Sequence, residues 1–355
     1  MHPSSRTKVL ALAVASVASA GLAAVAHAES AGNPSDKFDL SHWNITLPLD
    51  ADGDEKIDSV SVADIQGYSH PDFFYLNEEG GMVFTAANKA MTTPNSSNTR
   101  SELRQMLRGT NEDIGTHTPG NNFALQANPI GEIFGGKLNA TLKVNHVAER
   151  AGHPDKPPAY SMVVGQIHAD KNKEQMAEGK GFGYGNEPLK IYFKKWPEHD
   201  KGSVFWNYER NLEKEDPNRT DIAFPVWGNS WDNPENPGDA GIALGEEFSY
   251  EVNVQGNIMS LTFESPGKET KTFEINLADN IDPNGDVDAL DNPQGYAEDF
   301  MYFKAGAYNQ CSTKDAEGIW YAACPGTGDW ATDKANGDYA SATFSKLTLS
   351  NSTTE

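Results

Sequence analysis

Four short stretches of this chain place cationic, amide, imidazole or phenol side chains at every second position. TRSELRQ (99–105) offers Arg100, Glu102 and Arg104; VVGQIHA (163–169) offers Gln166 and His168; LKIYFKKW (189–196) offers Lys190, Tyr192 and Lys194. YFKAGAYNQ (302–310) offers Tyr302, Lys304, Gly306, Tyr308 and Gln310, with Phe303, Ala305 and Ala307 between them. Alternate side chains of a strand point to opposite faces, so each set shares one face while its apolar partners can enter a core. Strands of this kind side by side would line a basic, hydrogen-bonding groove suited to an acidic ligand. Each row also has a plainer reading. Arginines alternating with a glutamate can be a surface charge set, an isolated histidine is usually structural, and strand tyrosines often only pack.

The elements that must position these rows are themselves strand-like. Runs at 42–49, 81–87, 138–147, 161–169, 189–196, 203–209, 248–256, 258–265, 270–277, 299–310 and 342–350 mostly alternate and are separated by turn residues. FSYEVNVQ and IMSLTFES flank a Gly-Asn step, the pattern of a tight hairpin. Helical periodicity is scarce, with short turns predicted near 61–67 and 170–179. The pattern predicts an all-β fold: a jelly-roll sandwich of two antiparallel sheets, with ligand binding on a concave sheet and the loops over it.

Whole-chain features narrow the partners. The chain has 355 residues and a formal net charge of −23, which disfavours nucleic acid or an anionic membrane as a partner. A polyanionic ligand then needs a locally basic cleft, because focusing in a cleft depends on local charge. Residues 1–28 carry Arg6 and Lys8, then an apolar Ala- and Val-rich run closing on Ala26-His27-Ala28. They read as a secretory signal peptide and predict a secreted, soluble product; no cysteine there marks a lipid anchor. Residues 29–37 are a short polar lead, and 38–355 show no linker or repeat, so they read as one domain and a monomer. Cys311 and Cys324 in an exported chain read as a disulfide that would fix the end of the YFKAGAYNQ strand.

RSELR, QIH and YFKAGAYNQ, in that order, closely resemble the three signature blocks of the alginate lyases of polysaccharide lyase family 7. The resemblance takes in the opening FDLSHWNITLP (38–48) and the closing ATFSKLTLSN, and so covers about Phe38 to Ser350. It implies a β-jelly roll and eliminative cleavage of alginate, a polymer of mannuronate and guluronate. The C5 proton of a uronate is very weakly acidic while the neighbouring carboxylate stays negative. By resemblance, Arg100 and Gln166 neutralise that group, while His168 and Tyr308 move the protons. A free phenol ionises near about 10, so the cations Lys304, Arg104 and Arg100 are placed to favour a phenolate. Glu102 is expected to orient the arginines, and Lys190, Lys194 and Gln310 to line the substrate cleft. Ile167, in the middle of QIH, accompanies activity on guluronate-containing blocks in this family, and an open groove favours endolytic cutting.

No cofactor or metal is demanded by this scheme. DADGDEKID (50–58) and DPNGDVDALD (282–291) resemble calcium loops but lack the final glutamate, so they read as acidic surface turns, with a structural calcium as the weaker alternative. The competing reading from another class is a non-catalytic carbohydrate-binding jelly roll, which would not need a histidine and a tyrosine in acid/base positions. A glycoside hydrolase would need paired carboxylates, and no closely alternating carboxylate motif is present.

Overall fold

The computed structural model describes residues 32–231 and 233–353, so the signal segment predicted at 1–28 lies outside the described residues. The alternating runs become two antiparallel sheets. The first part of the chain supplies β1 (Trp43–Thr46), β2 (Ser59–Val60), β3 (Phe74–Leu76), β4 (Met82–Ala87), β5 (Asn98–Gln105), β6 (Phe123–Ala124) and β7 (Gly136–His146). β8 (Ser161–Ala169), β9 (Leu189–Lys194), β10 (Lys201–Glu209), β11 (Asp221–Trp227) and β12 (Ile242–Ala243) follow. The last are β13 (Glu247–Gln255), β14 (Ile258–Glu264), β15 (Lys271–Asn276), β16 (Phe300–Ser312) and β17 (Tyr339–Ser350).

The front sheet has ten strands in the order β11-β10-β9-β8-β16-β5-β1-β2, with β12 beside β10 and β6 beside β16. The back sheet runs β15-β14-β13-β7-β17-β4-β3. Between them lies one apolar core, to which the front sheet sends Ile45, Leu103, Ile167, Ile191, Phe303, Ala305 and Ala307, and the back sheet sends Phe84, Leu142, Tyr250, Phe263 and Phe344. The residues predicted to face inward from the signature strands therefore do so, which leaves their polar partners on the opposite, concave face.

Local chemistry explains the departures from the sequence pattern. In the β13–β14 hairpin Gln255 pairs with Ile258, and Gly256, at φ 60°, takes the first turn position, where a side chain would be disfavoured. β11 was not predicted, because Pro225 interrupts DIAFPVW; it survives as the sheet's edge strand, where a missing N–H is tolerated. Two short helices appear. α1 (Lys173–Glu178), at a predicted turn, is capped by Asn172, and the unforeseen α2 (Trp330–Ala335) by Asp329. Cys311 and Cys324 are bonded, with Cα atoms 5.3 Å apart.

Candidate active site

Three central strands of the front sheet bring the signature residues together. Across β16 and β5, Lys304 pairs with Arg104, Gly306 with Glu102 and Tyr308 with Arg100. Across β16 and β8, Tyr302 pairs with His168 and Lys304 with Gln166. The register shifts between Ala305 and Tyr308 against β8, at a bulge that keeps Tyr308 on the concave side with Val163. Gly306 has φ 145°, and a Cβ there would lie 2.5 Å from the Ser101 carbonyl oxygen. The glycine is thus required by the close approach of β5.

Glu102 is the hub of the site. It is 2% exposed and accepts hydrogen bonds from Arg100 at 3.0 Å, from Lys304 and from the Gln166 amide. Burial alone would raise its carboxyl, but Lys304 and Arg100 together hold it below the usual carboxylate range. Lys304 responds the other way. Burial and the neighbouring Arg100 push its ammonium down to about 8, with Glu102 opposing them. Polar atoms are left over around this hub: Gln166 Oε1 and Arg100 Nε are buried without partners. Such groups are costly unless something else meets them: a bound carboxylate can accept from the Arg100 Nε–H, and a sugar hydroxyl can donate to Gln166 Oε1.

The imidazole and phenol groups flank the hub. The Arg100 guanidinium lies 4.0 Å from the Tyr308 ring centroid and Lys304 Nζ 5.9 Å from it, while the phenol oxygen is 3.2 Å from Ser96 Oγ. His168 stacks on Tyr302 at 5.3 Å and 8°, and the other ring contact of Tyr302 is Arg104, 3.8 Å away. The His168 side chain keeps 24% of its surface exposed, so it can meet a ligand from the groove. Burial lowers its proton affinity, and Glu187, 3.2 Å from Nε2, works against that. Burial also drives the Tyr302 phenol up to about 12, against the pull of Arg104.

The family model for alginate lyases matches residues 38–351. The chain belongs to polysaccharide lyase family 7, the alginate lyases. A Klebsiella pneumoniae alginate lyase is 34% identical over 293 residues, covering 79% of this chain and 85% of that protein. The crystal structure of an alginate lyase from Klebsiella pneumoniae superposes with a TM-score of 0.68 at 30% identity, over 90% of this chain and 98% of that one. An exolytic family 7 alginate lyase from Zobellia galactanivorans is 35% identical with a TM-score of 0.72, over 91% of this chain and 99% of that one.

Several residues of this alginate lyase sit differently from expectation. Lys190 and Lys194, predicted to line the cleft, are each 3% exposed. Lys190 Nζ lies 2.9 Å from Asp221, and Lys194 donates to the Pro157 carbonyl at 2.5 Å and covers Trp196. Both lie on the groove face of β9, but other parts of the chain cover them. Gln310 has no exposed surface and donates to the Tyr308 carbonyl at 3.3 Å. Arg104 does not meet Glu102; it bonds Asn122 at 2.9 Å and the Gln105 carbonyl at 2.7 Å. Sequence reasoning missed Glu187 and Ser96, which lie just outside alternating runs. It also missed Trp231 and Trp320, brought together from two loops at 4.8 Å.

The two acidic turns differ. Carboxylate oxygens of Asp50, Asp52 and Asp58, between β1 and β2, lie within 4.8 Å of one another, the one group of this kind among the described residues. In the other turn, Asp288 pairs with Arg210 and the buried Asp291 accepts from Tyr208 at 2.7 Å, so that segment is a brace as well as a surface turn.

Proposed function

We propose that this alginate lyase cleaves guluronate-containing alginate by β-elimination at the groove of β5, β8 and β16, and that it is exported to do so. Arg100 and the Gln166 amide meet the uronate carboxyl, with Lys304 adding positive charge. His168 takes the C5 proton, the C5 electrons form the C4–C5 double bond, and the C4–O bond breaks as Tyr308 gives its proton to the leaving oxygen. Where proton and leaving group lie on the same side, Tyr308 serves as both base and acid. Donors prearranged around developing charge contribute about 3 to 4 kcal/mol each in comparable sites, and a positioned acid or base about 10² to 10⁴-fold. The observation that carries this reading is the single buried carboxylate, Glu102, that gathers Arg100, Lys304 and Gln166 beside His168 and Tyr308. The guluronate preference rests on Ile167, which is fully buried and acts on Gln166 and His168 through packing alone.

An open groove favours endolytic action, but one observation supports a second reading. Trp231 packs edge-on against Tyr192 and Phe205 at 5.1 and 5.6 Å, and Trp320 and Tyr321 extend this aromatic cluster. Tyr192 and Phe205 belong to the groove face of β9 and β10, so the aromatic cap covers that arm of the groove and favours release of short products from a chain end. Ultraviolet absorbance on polyguluronate, mixed and polymannuronate substrates tests the chemistry, because elimination creates a double bond conjugated to a carboxylate. Flat absorbance on all three defeats the lyase assignment, and activity on polymannuronate alone defeats the guluronate reading. Product sizing separates the modes: short products from the first minutes support chain-end cutting, and an early spread of long oligomers refutes it.

A further inference from the structure

A second charged cluster meets His168 from the side of β9 to β11. Glu187, just before β9, Glu209 at the end of β10 and Asp221 at the start of β11 surround Lys190, with contacts of 3.4, 3.9 and 2.9 Å respectively. Arg219 bonds Glu209 at 2.6 Å, and Glu209 also accepts the Glu187 backbone N–H at 2.8 Å. Burial pushes the Glu209 carboxyl well up and the Asp221 carboxyl up, while Glu187 is held low, so Glu187 is the member of the cluster that keeps its negative charge most firmly. The next basic group is His168, whose Nε2 faces Glu187 Oε1.

The ring's other nitrogen fixes the chemistry. His168 Nδ1 lies 2.6 Å from the Ala169 carbonyl oxygen, and a carbonyl only accepts, so Nδ1 carries the hydrogen. In the neutral ring Nε2 is then the unprotonated nitrogen, 3.2 Å from a carboxylate oxygen. One added proton converts that contact of two acceptors into an ion pair. On its other sides His168 faces Tyr302 and Lys304 of β16 and Arg100 of β5, whose cations oppose protonation while Glu102 offsets part of their charge.

We propose that Glu187 is a positioning residue for His168: its carboxylate beside Nε2 stabilises the charge that the ring gains with the one proton it takes up. The substrate's C5 proton, once on Nε2, is then held as an imidazolium against the Glu187 carboxylate, and the reaction needs no further acceptor in the site. This rests on the reading of His168 as a proton-transfer residue. The cluster behind Glu187 supports the role: Lys190 and His168 hold its carboxyl well below the usual range although burial would raise it, so it stays ionised.

The test is Glu187→Gln, which keeps the shape and leaves Lys190 its contact with Asp221. Removing the negative charge makes the imidazolium more acidic. The His168 titration, followed by ring nitrogen-15 resonances in substrate-free enzyme and assigned by their loss in His168→Gln, should move to lower pH by about one unit or more. The acidic limb of kcat/KM on polyguluronate should move with it. An unmoved titration overturns the pairing. So does a parent enzyme whose neutral His168 carries its hydrogen on Nε2, a measurement that does not depend on the variant folding. A titration that moves while the rate profile stays fixed supports the pairing and overturns the proton-transfer role of His168.

Discussion

Glu102→Gln should unsettle both the stability and the pH profile of this lyase. The change is nearly isosteric, yet it removes the single negative charge among Arg100, Lys304 and Gln166, in a side chain 2% exposed. Deleting one partner of a buried ion pair costs about 3 to 5 kcal/mol, because the remaining charge stays desolvated. Part of that cost can be relieved by Lys304 losing its proton. Its ammonium is already pushed down to about 8 by burial and Arg100, against the support of Glu102. Without Glu102 it falls further. Since the unfolded chain then binds more protons than the native one, the variant's stability should rise with pH over a window that begins below pH 8. Below that window the loss should approach 3 kcal/mol in denaturant titrations, and in alkali it should shrink. Lys304 is charged below its folded-state value and neutral above it, so in the parent the attraction for a polyanion fades as pH rises through about 8. The alkaline limb of kcat/KM should move to lower pH in the variant. A loss of less than about 1 kcal/mol at pH 6, with an unmoved alkaline limb, would refute Glu102 as the organising charge.

Tyr308→Phe should leave the Arg100 contact with the ring in place and lose only the hydroxyl 3.2 Å from Ser96, so folding should survive. Turnover should still drop by at least about a hundredfold, and near-parental cleavage of alginate by a folded variant would remove Tyr308 from the chemistry. Replacing Cys311 and Cys324 together by serine opens a loop with a sequence separation of 13, which should cost about 3 kcal/mol in the chain-entropy model. An unchanged denaturant midpoint in that double variant would show that the bridge contributes no stability. Trp320→Ala should lengthen the early products by loosening the cap over Trp231, and an identical product ladder would show that this contact does not limit the groove.

The parts of the site that could be read from sequence are those governed by the two-residue period of a strand. Leu103, Ile167, Phe303, Ala305 and Ala307 enter the core, and Arg100, Glu102, Gln166, His168, Lys304 and Tyr308 share the opposite face, because each orientation follows from its immediate neighbours. Period alone assigns a face and says nothing about what lies over it. Lys190 and Lys194 show the difference. Their parity is right, yet Asp221 and Glu209 from the next strands and the Pro157 carbonyl from a loop take their ammonium groups. Partner choice is hidden for the same reason. Arg100, Glu102 and Arg104 look like one charge set along β5, but cross-strand register brings Lys304 to Glu102, while Arg104 turns to Tyr302 and Asn122. Glu187 carries no periodic signal at all, since it precedes β9 and reaches His168 across the sheet. The residues proposed to do the chemistry lie on regular strands and are visible in their spacing. The residues that set their charge come from elsewhere in the chain and become visible only when the strands are laid side by side.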